Sequence, residues 1–364
     1  MSAKKILTDA KILQMAESVA RQGLLGEDPL FHVPSRTLAN VNFNVDKRII
    51  EMGEGKTARE FFNLGQSKKF MQTMLVAEAC KRLVAAGKTN SIRDLYYMTK
   101  HTIAGTRENT FDDQNESDPI IEDLEVTLDS LREELHLFAS NKGAMVGEIT
   151  VVDGGDTIDA RRMGTGGWSV PSIVEPDVVQ FTECEAKFIL LVEKDAMWRR
   201  LNEDKFWKQH HCILIHGGGQ PPRGVRRLMH RMVNELKLPL YVFVDNDPWG
   251  YYIYSVVKQG SISLAYESRR MAIPSARFIG LSSADVEKYQ IPDEVTIRLE
   301  DTDINRAKEI MAYPWFQSKP WQKEIQRMLS SKVKLELEAL SAKGITYASD
   351  EFLPRKLKEK DFLD

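Results

Sequence analysis

The sequence has almost no cysteine. Cys80, Cys184 and Cys212 are scattered through 364 residues, odd in number and in no CxxC spacing. This excludes a disulfide framework and a cysteine zinc site, and the thiols read as buried and reduced. No apolar run is long enough to span a bilayer, and the opening MSAKKILTDAKILQMAESVA turns polar too early for a secretory signal. A cytoplasmic, nucleoid-associated protein with no membrane partner is expected. Large charge of one sign is also missing: 50 Lys and Arg face 53 Asp and Glu, for a net −3. A uniformly basic nucleic-acid coat is thereby excluded, but a local patch is not. A phosphate-binding P-loop is lacking too. GEGKT (53–57) needs another glycine five residues before Gly55, and that position is Ile50. No ATP site is expected on this chain.

What is present is ordinary for a folded protein: 42% hydrophobic and 28% charged residues. The length exceeds what one core usually serves, so two domains and an arm are expected. Residues 1–66 read as an N-terminal arm of irregular structure around LFHVPSRTLANVNFNVDKR. Ser67 is placed as the cap of a helix through KKFMQTMLVAEACKRLVAA, with Gly87 closing it. Ser91 opens a second helix, with Asp94 three residues on. A third follows Asp118-Pro119, with Ile120, Ile121, Leu124, Leu128, Leu131 and Leu135 at helical spacing. LHLFAS and EITVVD read as two strands around the turn NKGAMVG. Three helices and a hairpin over 67–153 outline a winged-helix (CAP-like) domain, which docks DNA in some proteins and protein partners in others.

Residues 154–180, rich in Gly, Ser and Pro, read as a connector. From 181 to 364 the rhythm changes. KFILLVE, HCILIHG and LYVFVD are buried-strand runs alternating with helices, and a charged helical segment follows from Asp301. The fold class expected is α/β multidomain, with a parallel sheet whose chemistry lies at the strand C-terminal ends.

Two of those strands end in acid. VEKDA places Glu193 just past one, and VDNDPWG places Asp245 and Asp247 past another. Three hard oxygen donors at one sheet edge suit Mg²⁺; the plainer reading is three helix caps. Arg223, Arg226, Arg227 and Arg231 cluster after HGGGQPP, which opens a helix on which Arg226, Arg227, His230 and Arg231 lie off an apolar stripe of Val225, Leu228, Met229, Met232, Val233 and Leu236. Such a face could hold a nucleic-acid phosphate or be merely solvated.

SIRDLYYMTK (91–100) sets two tyrosines side by side. Helical phase sends Tyr96 inward with Ile92, Leu95 and Thr99, and puts Tyr97 on a stripe with Arg93, Lys100 and His101. A phenol, with a pKa of about 10, is a poor nucleophile at neutral pH unless cations favour its anion. Spacing alone leaves a surface tyrosine and a nucleophile both open.

RDLYY, VEKDA, the glycine loop and VDNDPWGYYIYSVVKQGSISLAYES together resemble the A subunits of type IIB DNA topoisomerases. That family also includes the meiotic double-strand-break transesterase. The resemblance implies a winged-helix domain followed by a Toprim domain, with Tyr97 as nucleophile, Arg93 beside it, Glu193 as the Toprim glutamate and Asp245 and Asp247 as its DxD pair. It further implies Mg²⁺ on those three carboxylates and double-stranded DNA along Arg93, Lys100, His101, Arg223, Arg226 and Arg227. Supercoil relaxation and decatenation through a 5′-phosphotyrosyl break, a homodimer, and an ATPase B subunit completing an A2B2 heterotetramer are also implied. The family's GKGYPD loop reads GGGQPP here, so Gln220 and Pro222 depart from it. The alternatives are a stand-alone break-forming transesterase and a non-catalytic winged-helix DNA-binding protein. A haloacid-dehalogenase-like phosphatase would carry its DxD on the first strand, whereas Glu193 and two strands come earlier here.

Overall fold

The computed structural model describes residues 3–364, with side chains from Leu7 onward. The chain divides into two compact units, one of Met1–Asn40 and Met52–Ser140 and one of Val41–Glu51 and Asn141–Asp364. No described helix is long and apolar enough to cross a membrane.

In the first unit, the helices Ala3–Leu24, Ser67–Ala86, Ile92–Thr99 and Gln114–Leu128 share a core that includes Ile12, Val76, Cys80, Leu95, Tyr96, Ile121 and Leu124. The stretch expected as an irregular arm is ordered. Leu30–Pro34 pairs antiparallel with Lys56–Glu60. Phe31 and Val33 are buried while His32 is exposed, the two-residue alternation of a half-covered strand, and Phe31 packs on Phe70 at 5.3 Å between ring centroids. Within GEGKT, Gly53, Glu54 and Gly55 precede this ladder, where the Asn40 side chain accepts from Gly55 N at 2.8 Å, and Lys56 and Thr57 are already in it.

Helix ends differ from expectation in two places. Gln66, not Ser67, is the residue before the helix, and it makes no side-chain cap. The third helix starts at Gln114, ahead of Asp118-Pro119, because Asp113 caps it by accepting from Asn115 N at 2.7 Å. Gly87 does close its helix in the left-handed region, φ 65°, with its N–H on Leu83 and Val84 carbonyls. Ser91 caps the tyrosine helix, accepting from Asp94 N at 3.0 Å, and donates to the Asp94 carboxylate at 2.7 Å.

The expected hairpin over 135–153 does not form. Leu137–Phe138 pairs, in parallel, with Asn90–Ser91. Ala144–Gly147 instead joins the large sheet of the second unit against Cys212–His216. Ile149–Asp153 lies between Val179–Cys184 and Asp156–Asp159 in a three-stranded sheet. The reason is burial. All four residues of Ala144–Gly147 are buried, whereas a wing strand keeps one face wet. The winged-helix outline is therefore represented by its helices alone. The 154–180 stretch expected as a connector contributes strands to both sheets, at Asp156–Asp159 and Trp168–Ser169.

The second unit is built on a six-stranded sheet in the order Trp168–Ser169, Ala144–Gly147, Cys212–His216, Phe188–Val192, Leu240–Phe243, Arg277–Gly280. The last four are parallel, as their unbroken apolar runs imply. Phe188–Val192 and Cys212–His216 are buried at every position. Helices Asp195–Glu203, Arg223–Glu235 and Pro248–Gln259 follow three of these strands, and Asp301–Ala312 and Lys319–Ser331 form the helical C-terminal part. Leu190 sits fully buried in this core. Leu190→Ala is expected to lower the unfolding free energy by about 3 kcal/mol, measured by urea unfolding followed by circular dichroism.

Candidate functional site

On the tyrosine helix the two rings part as helical phase requires. Tyr96 is 7% exposed and Tyr97 60%. The Tyr96 hydroxyl donates to the Asp112 carbonyl at 3.0 Å and accepts from Lys100 Nζ at 2.7 Å. Lys100 also donates to the Asp112 carbonyl at 2.9 Å. Tyr96 is thus locked. Lys100, placed on the Tyr97 stripe by spacing, is bonded to the inner tyrosine. Arg93 and Tyr97 are exposed on the same helix, and among the described residues neither side chain has a hydrogen bond or ion pair. His101 is exposed next to the helix end, with its backbone N–H on Thr110 Oγ1 at 3.0 Å.

The acidic residues are positioned by the parallel sheet of the second unit. Val192 lies opposite Phe243, so Glu193 and Asp245 leave adjacent strand ends. Glu193 N donates to the Phe243 carbonyl at 3.0 Å, and Glu193 Oε2 accepts from Asp245 N at 3.0 Å. Between the two aspartates, Asn246 is fully buried and accepts from the Tyr251 hydroxyl at 2.6 Å. That anchor holds the DxD segment, in which residues two apart share a side. Asp247 caps the helix Pro248–Gln259, accepting from Gly250 N at 2.6 Å. Gly250 has a packing reason: a Cβ there would lie 2.3 Å from the Asp245 carbonyl oxygen. The helix-cap reading therefore holds for Asp247 alone. Glu193 and Asp245 cap nothing.

Burial raises the Glu193 carboxyl to about 7, with repulsion from Asp245 and Asp247 adding to it. Burial raises Asp245 to about 6 against the opposing Leu337 N–H and Lys194. Asp247 is pushed up by burial as well. The donor set has the chemistry a hard divalent cation needs: three oxygen acids whose negative charge is under-compensated. It is not a ready-made cage. Among the described residues no three His, Cys, Asp or Glu side chains are grouped to hold a metal ion. Asp245 is occupied on both oxygens, Oδ1 by Leu337 N at 2.8 Å and Oδ2 by Lys194 Nζ at 3.0 Å.

The arginine helix Arg223–Glu235 departs from the expected cationic face. Arg226 is 2% exposed, its Nε and Nη1 have no hydrogen-bond partner, and burial lowers its pKa to about 10. Arg227 forks onto Glu175 with two bonds of 2.9 Å. Arg223 pairs with Glu267 at 3.0 Å and donates to Tyr266. Arg231 is buried on the Val174 and Val179 carbonyls. None of these four forms a free phosphate-binding face. Partners from positions 174–179 and 266–267 lie too far along the chain for helical spacing to reveal them. Of the two departures in the glycine loop, Gln220 is exposed and Pro222 precedes the helix without a side-chain cap. Gly219 N donates to the Glu193 carbonyl at 2.9 Å, so the loop is tied to the acidic strand end.

Three further residues at the site carry no motif of their own: Lys194, Glu336 and Glu338. The last two arrive because Leu335 and Asn246 exchange backbone hydrogen bonds of 3.0 and 2.8 Å. Lys194 is visible in VEKDA, but its partners are not.

Two outcomes follow from this geometry. In metal-free protein, folding binds protons at Glu193 and Asp245, because their folded pKa values lie above the ordinary ones. Stability is expected to fall as pH rises from about 4.5 to about 7. Glu193→Gln should flatten that slope in thermal melts across the range. Arg227→Ala should lower the unfolding free energy by about 2 kcal/mol, the scale of a hydrogen bond to a charged group, since Glu175 loses both Arg227 bonds and keeps Arg270 at 2.6 Å, as read by urea unfolding.

Comparison with known proteins gives the family. A family model described as the Toprim domain shared by Spo11 and the A subunit of topoisomerase 6 matches residues 188–357. One described as type IIB DNA topoisomerase matches 68–137, and one described as an all-beta domain in DNA topoisomerase VI alpha subunit matches 141–185. The A subunit of type 2 DNA topoisomerase 6 from Pyrococcus horikoshii is 43% identical over 97% of this chain and 94% of its own length. Its counterpart from Hyperthermus butylicus is 42% identical over 96% of this chain and 94% of its own. The A3 subunit of DNA topoisomerase 6 from Oryza sativa subsp. indica is 35% identical over 97% of this chain and 78% of its own. Near-complete coverage at these identities, over a sheet that carries Glu193, Asp245 and Asp247 at its strand ends, shows that the chain belongs to the family of type IIB DNA topoisomerase VI A subunits.

Proposed function

We propose that this chain is the DNA-cleaving and DNA-rejoining subunit of an ATP-dependent type II topoisomerase, with Tyr97 as its nucleophile. The observation that carries the residue assignment is the split between neighbouring tyrosines. Tyr96 is spent on Asp112 and Lys100, while Tyr97 stands exposed on the helix that also exposes Arg93.

The reaction is a transesterification. The Tyr97 hydroxyl oxygen bonds to a backbone phosphorus and gives up its proton. The bond from phosphorus to the 3′ oxygen breaks, and that oxygen leaves as a hydroxyl. The tyrosine stays on the 5′ phosphate. Ester count is conserved, so rejoining runs the same exchange backward without an outside cofactor. Arg93, free of protein partners among the described residues, binds the phosphate before attack. Glu193, half-buried at its strand end, exchanges the proton of the leaving 3′ oxygen. Glu193, Asp245 and Asp247 would hold Mg²⁺, which when bound stabilises negative charge on the phosphate and the 3′ oxygen.

A homodimer, with the tyrosine of one protomer serving the carboxylates of the other, cuts both strands of a duplex. GEGKT lacks the first P-loop glycine, with Ile50 at that position, and runs into the strand Lys56–Glu60 rather than a helix, so ATP hydrolysis is assigned to a separate B subunit in an A2B2 assembly. The arrangement relaxes supercoils and decatenates duplex DNA. DNA contacts are assigned to Arg93 and His101; Arg223 and Arg227 act within the second unit through Glu267 and Glu175, and Arg226 lies buried.

Protein and its ATPase partner, mixed with supercoiled DNA, Mg²⁺ and ATP and then denatured with detergent, are expected to yield a covalent protein–DNA adduct. Tyr97→Phe and Glu193→Ala should each abolish it, as should a chelator. Tyr96→Phe should retain it at a stability loss of about 2 kcal/mol, the value of two lost hydrogen bonds. An adduct surviving in Tyr97→Phe overturns the assignment.

A further inference from the structure

We propose that Lys194 is the resident counter-ion of the acidic site, and that a divalent cation enters by exchange with it, the ammonium passing from Asp245 to Glu336 and Glu338. This rests on the reading that Glu193, Asp245 and Asp247 hold the ion.

Lys194 follows Glu193 directly and precedes the helix Asp195–Glu203 without capping it. Its Nζ is shared by three carboxylates: Asp245 Oδ2 at 3.0 Å, Glu336 at 3.1 Å and Glu338 at 3.0 Å. These neighbours are unequal. Asp245 is buried, while Glu336 and Glu338 are exposed. A buried carboxylate needs a cation far more than two hydrated ones do, so the ammonium rests where the missing charge is greatest.

Asp245 has two partners, and only one can leave. The Leu337 N–H on Oδ1 belongs to a backbone segment fixed by the Leu335–Asn246 bridge and by the buried Leu337 side chain. The lysine stem is flexible. A divalent ion on Asp245 and an ammonium in contact with the same carboxylate would repel strongly in this half-buried place. One must go, and it is the ammonium. Its destination is already built. Glu336 and Glu338 are both exposed and flank the buried Leu337, whose N–H holds Asp245. Lys194 is therefore a positioning residue that sets metal affinity.

The test is Mn²⁺ binding to the full-length purified chain, without DNA or nucleotide, by calorimetry and by the electron paramagnetic resonance signal of free Mn²⁺. Lys194→Met and Lys194→Gln are expected to bind Mn²⁺ roughly five- to tenfold more tightly, the range for removing one competing half-buried ion pair. Glu336→Gln/Glu338→Gln should weaken binding when Lys194 is present, because the ammonium loses its alternative partners, and should have little effect in the Lys194→Met background. Unchanged or weaker Mn²⁺ binding in both Lys194 variants overturns the exchange, since it would make the lysine an organiser of the site or a bystander. Equal weakening by the glutamine pair in both backgrounds overturns it too, reducing those glutamates to a general field. Glu193→Gln separates the two readings. If wild-type Mn²⁺ binding survives that change, the carboxylate site itself is misassigned; if binding is lost but Lys194 has no effect, only the exchange fails.

Discussion

Parallel pairing of Phe188–Val192 with Leu240–Phe243 is the constraint on which the candidate chemistry depends. A register of Val192 opposite Phe243 puts Glu193 and Asp245 at the same sheet edge, and the Glu193 side chain then accepts the Asp245 N–H. A shift of one residue would turn either strand's side chains to the other face and separate the two acids. What enforces the register is burial on both faces. Every residue of Phe188–Val192 is covered, so no slipped pairing keeps the same apolar surface away from water. The acidic site is thus a by-product of hydrophobic packing, and it inherits that packing's rigidity.

The same burial makes the acids costly. The carboxyls of Glu193 and Asp245 are raised well above their ordinary values, and that of Asp247 is raised too, because solvent is excluded and like charges are close. A protein stores such a cost where a cation is to be received. Lys194 offsets part of it on Asp245, backbone N–H groups offset part on Glu193, Asp245 and Asp247, and the rest remains. The arginines of Arg223–Glu235 show the opposite use of charge. Each cation there is matched inside the protein, with Arg227 on Glu175, Arg223 on Glu267 and Arg231 on carbonyls. Arg226 is the exception, buried with two donors unmatched.

The tyrosine pair is governed by a simpler rule. Successive helical residues are about 100° apart, so one of two adjacent tyrosines must leave the core when the other enters it. Tyr96 enters, and its hydroxyl is satisfied by Asp112 and Lys100 because a buried phenol needs partners. Lys100 is thereby tied to the inner tyrosine, while Arg93 and Tyr97 are both exposed on the same helix.

Patterns confined to one strand or one helix were legible in the sequence. Alternation and apolar runs marked Phe188–Val192, Cys212–His216 and Leu240–Phe243 as covered strands. Helical phase separated Tyr96 from Tyr97, and Ser91 and Gly87 marked helix ends by their caps. These depend on neighbours within a few residues, which a sequence displays directly. Pairing between distant segments was not legible. Ala144–Gly147 looked like part of a hairpin turn, yet it is a strand of the central sheet, buried at every position. The glycine-rich stretch after it looked like a connector, yet it supplied strands to two sheets. Arg227 looked like a phosphate ligand until Glu175 came to meet it, and Lys194 looked incidental until Glu336 and Glu338 arrived from the far end of the chain. By itself, then, the sequence determined which side chains carry charge, which face of a helix is wet, and which strands are covered, because those follow from local periodicity. Only the tertiary structure decided which charges neutralise one another, because a partner can lie a hundred residues away and its desolvation depends on everything packed around it.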